Sequence, residues 1–222
     1  SLFGHGSVDL MYGGTGSGSV DTSKAPNFKQ ALESQGISVN ETLWNLYSSD
    51  SMMSKYSRLT PASISDTLEA NTQYAVNEAP WSALSSTESS FAEYGDAAIV
   101  VLSRSGGEGA DLSYGEVNYL ALDENEKAML QNVAEMKKNG IVKKTIVLIN
   151  SANALQVDFL KNNEYDIDAA LWIGDVGISG INAVAEILTG KVNPSGSLVD
   201  TYCYDNFSAP AMWNFTPTTY EG

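Results

Sequence analysis

The sequence predicts an α/β fold in which a mostly parallel sheet is covered by helices on both faces, three layers in all. Two observations carry this. Residues 97–102, 145–149 and 167–172 are short continuous apolar runs, the pattern of strands buried on both sides. Helical patterns at 124–139, 154–161 and 181–188 separate and follow them, and strands alternating with helices imply right-handed crossovers within one parallel sheet.

From the N-terminus, Ser1-Leu2-Phe3 running at once into Gly4 reads as a strand whose beginning has been cut away. Residues 26–35 read as a helix closed by Gly36, and 40–47 as another. The polar stretch 48–80 mixes helix and loop, and 81–94 reads as the helix feeding the strand at 97. Gly190 is the stop for the last helix, and Asn193-Pro194-Ser195-Gly196 is a turn. There is no internal repeat and no low-complexity linker. The 222 residues, 43% of them hydrophobic, are enough for a single well-filled domain spanning 1–222.

Charge and residue counts exclude several functions. A formal net charge of −15 leaves no basic stripe to neutralise phosphates, so neither nucleic acid nor an anionic membrane surface is an expected partner. No apolar run approaches the roughly 20 residues needed to cross a bilayer, and the N-terminus has no basic-then-apolar leader. Cys203 is the only cysteine, which rules out an internal disulfide or a cysteine-based zinc site and leaves the compartment open. His5 is the only histidine, so there is no histidine pair for a metal and little to activate a serine or cysteine nucleophile. No metal and no cofactor is expected. His5 itself reads as a structural residue beside a strand end.

The segment 97–113, AAIVVLSRSGGEGADLS, holds the best candidate for chemistry. A buried strand runs into a glycine-rich loop carrying one carboxylate, Glu108, and ligands of open parallel sheets bind at the C-terminal ends of the strands. Gly106, Gly107 and Gly109 would let the loop turn sharply through backbone angles closed to other residues. An ordinary glycine-rich surface turn fits the same pattern.

Other motifs carry less. Gly13-Gly14-Thr15-Gly16-Ser17-Gly18-Ser19 suggests a phosphate cradle, but a dinucleotide fingerprint needs glycine where Ser19 stands, and the Gly-Lys-Ser/Thr ending of a phosphate loop is absent. It reads better as a flexible, close-packed loop at the same sheet edge as Glu108. Trp44, Trp81, Trp172 and Trp213 could stack on sugar rings, although tryptophans more commonly serve the core. Asn-x-Ser/Thr sequons stand at Asn40, Asn206 and Asn214.

Taken in order, several of these stretches resemble a known family. Gly-x-Gly-Ser-Gly-x-Val at 14–20 is followed by Ser-Gly-Gly-Glu-Gly-Ala-Asp at 105–111 and Thr-Ile-Val-Leu-Ile-Asn-Ser-Ala-Asn at 145–153. Asp-Ala-Ala-Leu-Trp at 168–172, Gly-Ile-Asn-Ala at 180–183 and Gly-Lys-Val-Asn-Pro-Ser-Gly-Ser-Leu at 190–198 complete the series. Together they resemble the α/β sandwich domain of glycoside hydrolase family 3, over nearly the whole chain.

The resemblance implies a flavodoxin-like three-layer domain that is part of a larger retaining, β-glucosidase-like glycosidase acting on an oligosaccharide or glycoside. It implies an intramolecular partner, a barrel domain supplying an aspartate nucleophile, while the Gly-Glu-Gly loop of the sandwich lies across the substrate and supplies the acid/base, Glu108 in this sequence. Two departures bear on this. The aspartate of the loop, Asp111, is followed by Leu112 rather than arginine, so Arg104 is expected to brace the loop by reaching Asp111 or Glu108. The usual Pro-Gly-Gln-Glu-Gly-Gly is replaced by residues 174–180, GDVGISG, which alters charge and reach near the substrate. Two other classes fit the residues: a carbohydrate-binding or scaffold domain without turnover, and a nucleotide-binding α/β protein.

Overall fold

The computed structural model describes residues 1–60, 74–107, 112 and 118–213. Among these residues the sheet has the order β1 (Leu2–Phe3), β2 (Ala98–Arg104), β3 (Thr145–Ser151) and β4 (Ala169–Trp172). All three pairings are parallel, as the alternation of strands and helices predicts. The central strands run two residues past the apolar segments, so the ladder includes the polar pairs Ser103↔Asn150 and Arg104↔Ser151. In contrast, β4 starts two residues late. Asp168 turns its carboxylate onto the Thr145 N–H and the ammonium groups of Lys137 and Lys144. Ala169 and Ala170 are exposed, which makes β4 the solvent-side edge.

Among the described residues five α-helices accompany the sheet: α1 (Phe28–Ser34), α2 (Glu41–Tyr47), α3 (Asp50–Lys55), α4 (Glu124–Lys138) and α5 (Gly180–Leu188). Their ends follow local chemistry. Asn27 with Gln30, and Asp123 with Glu126, form capping boxes that satisfy otherwise unpaired N–H groups at the starts of α1 and α4. Asn40 and Ser49 cap α2 and α3. Past their ends, Gly36 and Gly190 take left-handed angles of φ +81° and +73°.

Because successive strand residues face opposite ways, β2 serves two cores. Val100 and Leu102 pack with Val147 and Ile149 under Met129, Leu130 and Val133 of α4. Ile99 and Val101 pack with Leu148 under Phe28 and Leu32 of α1 and Ile181 and Val184 of α5. Each such side chain contributes about 1.5–3 kcal/mol on burial, so both layers are needed to hold the strand in register.

Two expected helices are absent. Residues 81–94 wind instead as 3-10 turns, Trp81–Ser90 and Ala92–Tyr94. The hydroxyls of Thr87 and Ser90 donate to the carbonyls three residues back, a bond that competes with α-helical pairing in this serine-rich segment. Residues 154–161 are helical only as a 3-10 turn at Asp158–Lys161. Leu155, Val157 and Phe159 are buried with a period of two, while the N–H groups of Gln156 and Val157 bond to Leu120 and Cys203. Of the mixed stretch 48–80, the described part contains α3 and an antiparallel bridge between Leu59 and Ala75; residues 61–73 lie outside the described set.

Candidate functional site

The C-terminal ends of the parallel strands gather the groups that could do chemistry. β1 leads into His5 and then the loop through Gly13–Gly18, β2 into Ser105-Gly106-Gly107, β3 into Asn153, and β4 into Gly174 and Asp175. The first two loops touch: Thr15 Oγ1 donates to the Gly106 carbonyl at 3.2 Å. The glycine-rich N-terminal loop thus does stand beside the loop that continues to Glu108.

The structure corrects the reason for the glycines. Neither Gly106 nor Gly107 has a positive φ. They are needed for space: a Cβ on Gly107 would lie 1.6 Å from Thr15 Oγ1 and 2.8 Å from the Tyr74 hydroxyl, and one on Gly106 would lie 2.8 Å from Asn153 Oδ1. Glu108, Gly109 and Asp111 fall outside the described residues.

Arg104 ends β2 fully buried, and all five of its N–H donors are taken. Nη1 and Nη2 grip Glu126 at 2.7 Å each, Nη1 also reaches the Ser103 carbonyl, and Nε and Nη2 reach the carbonyls of Tyr119 and Ala121. The contact to Asp111 or Glu108 expected from sequence falls outside the described residues; within them Arg104 holds the backbone of Tyr119 and Ala121. Ser105 adds to that hold, its N–H donating to the Tyr119 hydroxyl at 2.8 Å.

Several site residues had no signature in the sequence. Asn150, fully buried, accepts from the Met11 N–H at 2.6 Å and donates to the carbonyls of Met11 and Gly174, tying the loops after β1 and β4 to β3. Its one signal is an amide at the end of an apolar run. Glu78, 2% exposed, accepts from His5 at both Nδ1 (2.7 Å) and the backbone, and from the Ala79 N–H. His5 is structural as expected, but its buried Nε2 has no hydrogen-bond partner among the described residues.

A third polar group lies beneath the first loop. Arg58 bonds the Asp9 carboxylate through Nη2 (3.0 Å) and the Asp9 carbonyl and Ser103 Oγ through Nη1. Burial pushes the Asp175 carboxyl up, opposed by the charge of Arg58. Burial also raises the Tyr12 phenol, with the Asp9 charge acting in the same direction. Residues 8–14 with Ser19, Val20 and Thr22 line an open cavity of about 260 Å³ here. A larger cavity, about 620 Å³, opens at the opposite end of the strands beside Leu2, Leu32 and Ile99. Among the described residues no cluster of His, Cys, Asp and Glu could hold a metal ion, and no helix is long and apolar enough to cross a membrane.

The tryptophans divide. Trp44 is core, Trp81 stacks on Phe3, and Trp172 donates to the Ser151 carbonyl, while Trp213 is two-thirds exposed against Phe207.

With this geometry in view, comparison with known proteins decides the family. The model of the glycosyl hydrolase family 3 C-terminal domain matches residues 1–218. The chain belongs to this family. A β-glucosidase of Ruminococcus albus is 29% identical over 215 residues, covering 96% of this chain and 21% of that protein. β-Glucosidase A of Butyrivibrio fibrisolvens is 31% identical over 225 residues, covering 91% of this chain and 25% of the relative. Among solved structures, a β-glucosidase from Paenibacillus barengoltzii superposes with a TM-score of 0.74 at 25% identity, over 97% of this chain and 22% of that one. β-Glucosidase 3B from Thermotoga neapolitana, in complex with α-D-glucose, gives 0.70 at 25% identity over 96% and 28%. The family 3 domain therefore spans about a fifth to a quarter of the length of these relatives.

Proposed function

We propose that this family 3 domain is the sandwich part of a retaining, β-glucosidase-like glycosidase in which Glu108 is the acid/base and a barrel domain of the longer protein supplies the aspartate nucleophile. The observation that carries the reading is the route of the chain. Gly106 and Gly107 leave the central strand β2 pressed against Thr15, and Arg104 with Ser105 bonds Tyr119, so the described residues on either side of the stretch that includes Glu108 lie at the C-terminal ends of the strands, where ligands of parallel sheets bind.

The chemistry needs two carboxylates about 5–5.5 Å apart. The aspartate attacks the anomeric carbon as the bond to the glycosidic oxygen breaks, and Glu108 gives its proton to that oxygen. In the second step the Glu108 carboxylate takes a proton from water as the water oxygen displaces the aspartate. A docked barrel would keep Glu108 protonated near neutral pH by burying it and setting a negative charge beside it. Exposed apolar side chains are consistent with a docked domain: Ile178 is 56% exposed, Leu198 57% and Val199 82%. The 222-residue chain alone, without a nucleophile, is expected to hydrolyse no aryl glycoside.

The test is Glu108→Ala in the full-length protein. A dinitrophenyl glycoside, whose leaving group needs no proton, should keep its first step and lose the second. An alkyl glycoside should lose both, by roughly 10²- to 10⁴-fold. Azide should rescue the activated substrate and yield a glycosyl azide of retained configuration. One small loss common to both substrates, with no azide adduct, overturns the assignment and moves attention to Asp111 and Glu116.

A further inference from the structure

Apart from the two cores that flank the sheet, a small apolar cluster sits beside the exit from β2. Tyr74, Val76 and Tyr119 form it, each no more than 6% exposed, with Leu112 and Leu120 packed against them. The rings of Tyr74 and Tyr119 lie 5.9 Å apart. Ala75, between Tyr74 and Val76, exchanges two backbone hydrogen bonds with Leu59, which fixes this stretch of chain.

The cluster is tied to the strand exit at successive residues. Arg104 donates through Nε to the Tyr119 carbonyl, and its guanidinium lies 5.5 Å from the Tyr119 ring. The Ser105 N–H donates to the Tyr119 hydroxyl at 2.8 Å, and the Thr60 and Ser105 hydroxyls meet at 3.1 Å. A Cβ on Gly107 would lie 2.8 Å from the Tyr74 hydroxyl, so the chain passes directly against that side chain.

Leu112 joins the cluster from beyond the residue of interest. Gly107 and Leu112 both rest against it, and only residues 108–111 stand between them. Glu108 is joined to Gly107 by one peptide unit, about 3.8 Å between Cα atoms. The cluster also accounts for the departure from the family pattern at 112, where arginine is usual. A partly buried position against two tyrosines and a valine suits an apolar side chain, and placing a guanidinium there would cost desolvation. A proton donor contributes to catalysis only when held within hydrogen-bond reach of the atom it protonates, so a tether four residues away matters to the reaction.

We propose that Leu112 is a positioning residue: docked on Tyr74, Val76 and Tyr119, it fixes the far end of the segment that begins at Gly107 and so holds Glu108 for proton transfer. The proposal rests on the reading of Glu108 as the acid/base.

The test uses the full-length protein. Leu112→Ala removes the tether, and Leu112→Met keeps an apolar side chain of similar volume. For an alkyl glycoside, Leu112→Ala should lower kcat by roughly 10- to 100-fold with KM little changed, the scale of a misplaced catalytic group. The pre-steady-state burst from a dinitrophenyl glycoside, whose leaving group needs no proton, should keep its rate. Leu112→Met should restore most of the alkyl activity. Equal losses on both substrates, which a merely weakened fold produces, overturn the proposal, as does an unchanged alkyl rate. Hydrogen exchange read by mass spectrometry tests the tether without reference to the reaction. Peptides spanning 106–118 should exchange about tenfold faster or more in Leu112→Ala and at the original rate in Leu112→Met, and unchanged exchange in Leu112→Ala overturns the tether. Glu108→Ala is run beside these variants. If it shows no dependence on the leaving group, the Glu108 reading fails by itself, and the exchange result still decides whether Leu112 holds the segment.

Discussion

Arg104, the last residue of β2, and Glu126, in the first turn of α4, meet through two 2.7 Å hydrogen bonds with neither side chain more than 1% exposed. Glu126 also accepts from the Asp123 N–H, completing the capping box of α4. One ion pair therefore joins the strand end, the helix start and the returning loop. Removing one member leaves the other charge buried and unpaired, so Arg104→Met or Glu126→Ala should each cost about 3–5 kcal/mol. Replacing both by apolar residues, Arg104→Met with Glu126→Leu, should cost less than either single change. Urea denaturation of the three variants measures this, and a double loss equal to the sum would show that the pair does not act as a unit.

Two aspartates should bend the stability of the domain in separate pH windows. Burial, with the nearby Glu126 charge, pushes Asp123 up to about 6. Its folded form therefore favours the proton, and the stability this contributes is complete below the ordinary carboxylate pKa near 4 and is lost as pH rises through about 6. Asp123→Asn keeps the cap, and should flatten the curve between about pH 4 and 6 and raise stability at neutral pH by about 1–2 kcal/mol.

Asp168 behaves in the opposite sense. Hydrogen bonds from Lys137, from the Thr145 N–H and from Lys144 hold it well below the usual carboxylate range, against the effect of burial. Its contribution is present above about pH 4 and disappears as pH falls. Asp168→Asn should cost about 1 kcal/mol near neutrality, the scale of a partly exposed ion pair, and leave the region above pH 5 flat. Thermal melts from pH 3 to 8 separate the two variants; loss on the same side of pH 4 for both would contradict the signs.

Gly107→Ala places a methyl group on Thr15 Oγ1 and near the Tyr74 hydroxyl, so the two loops must part. In the full-length protein this change should reduce glycoside turnover more than it reduces Tm. Adding Thr15→Gly, which removes the nearer obstacle, should restore part of the activity. Failure of the double variant to recover would mean that Tyr74 or the backbone path, not Thr15, sets the spacing.

Two of the three sequons should stay unmodified in a secreting eukaryotic host. Asn40 is 1% exposed, caps α2 through the Leu43 N–H and donates to Ser90, and Asn206 is 5% exposed and donates to the Ala154 carbonyl. Neither amide can carry a glycan without unfolding its surroundings. Mass spectrometry of the secreted protein checks this, and a glycan on Asn40 would contradict the cap.

The sequence by itself determined the layers, the parallel sheet and the family, because the elements rest on patterns local to a dozen residues and the family on the order of short motifs along the chain. An unbroken apolar run such as 97–102 announces a doubly buried strand, and Asn40 before its helix or Gly190 after another announces an end. The order of motifs then pointed to the loop at Glu108. Tertiary structure decided what depends on distant partners. Residues 154–157 stay out of a helix because Leu120 and Cys203 take the N–H groups of Gln156 and Val157, and no periodicity within the segment reveals that. Gly106 and Gly107 are glycines because Thr15 and Asn153 crowd them, a requirement of space that exists only once the loops meet. Arg104 turns to Glu126, and Asp9 meets Arg58, for the same reason: a buried charge is placed by whichever opposite charge the fold brings to it, and polar loop residues carry no pattern that foretells the meeting.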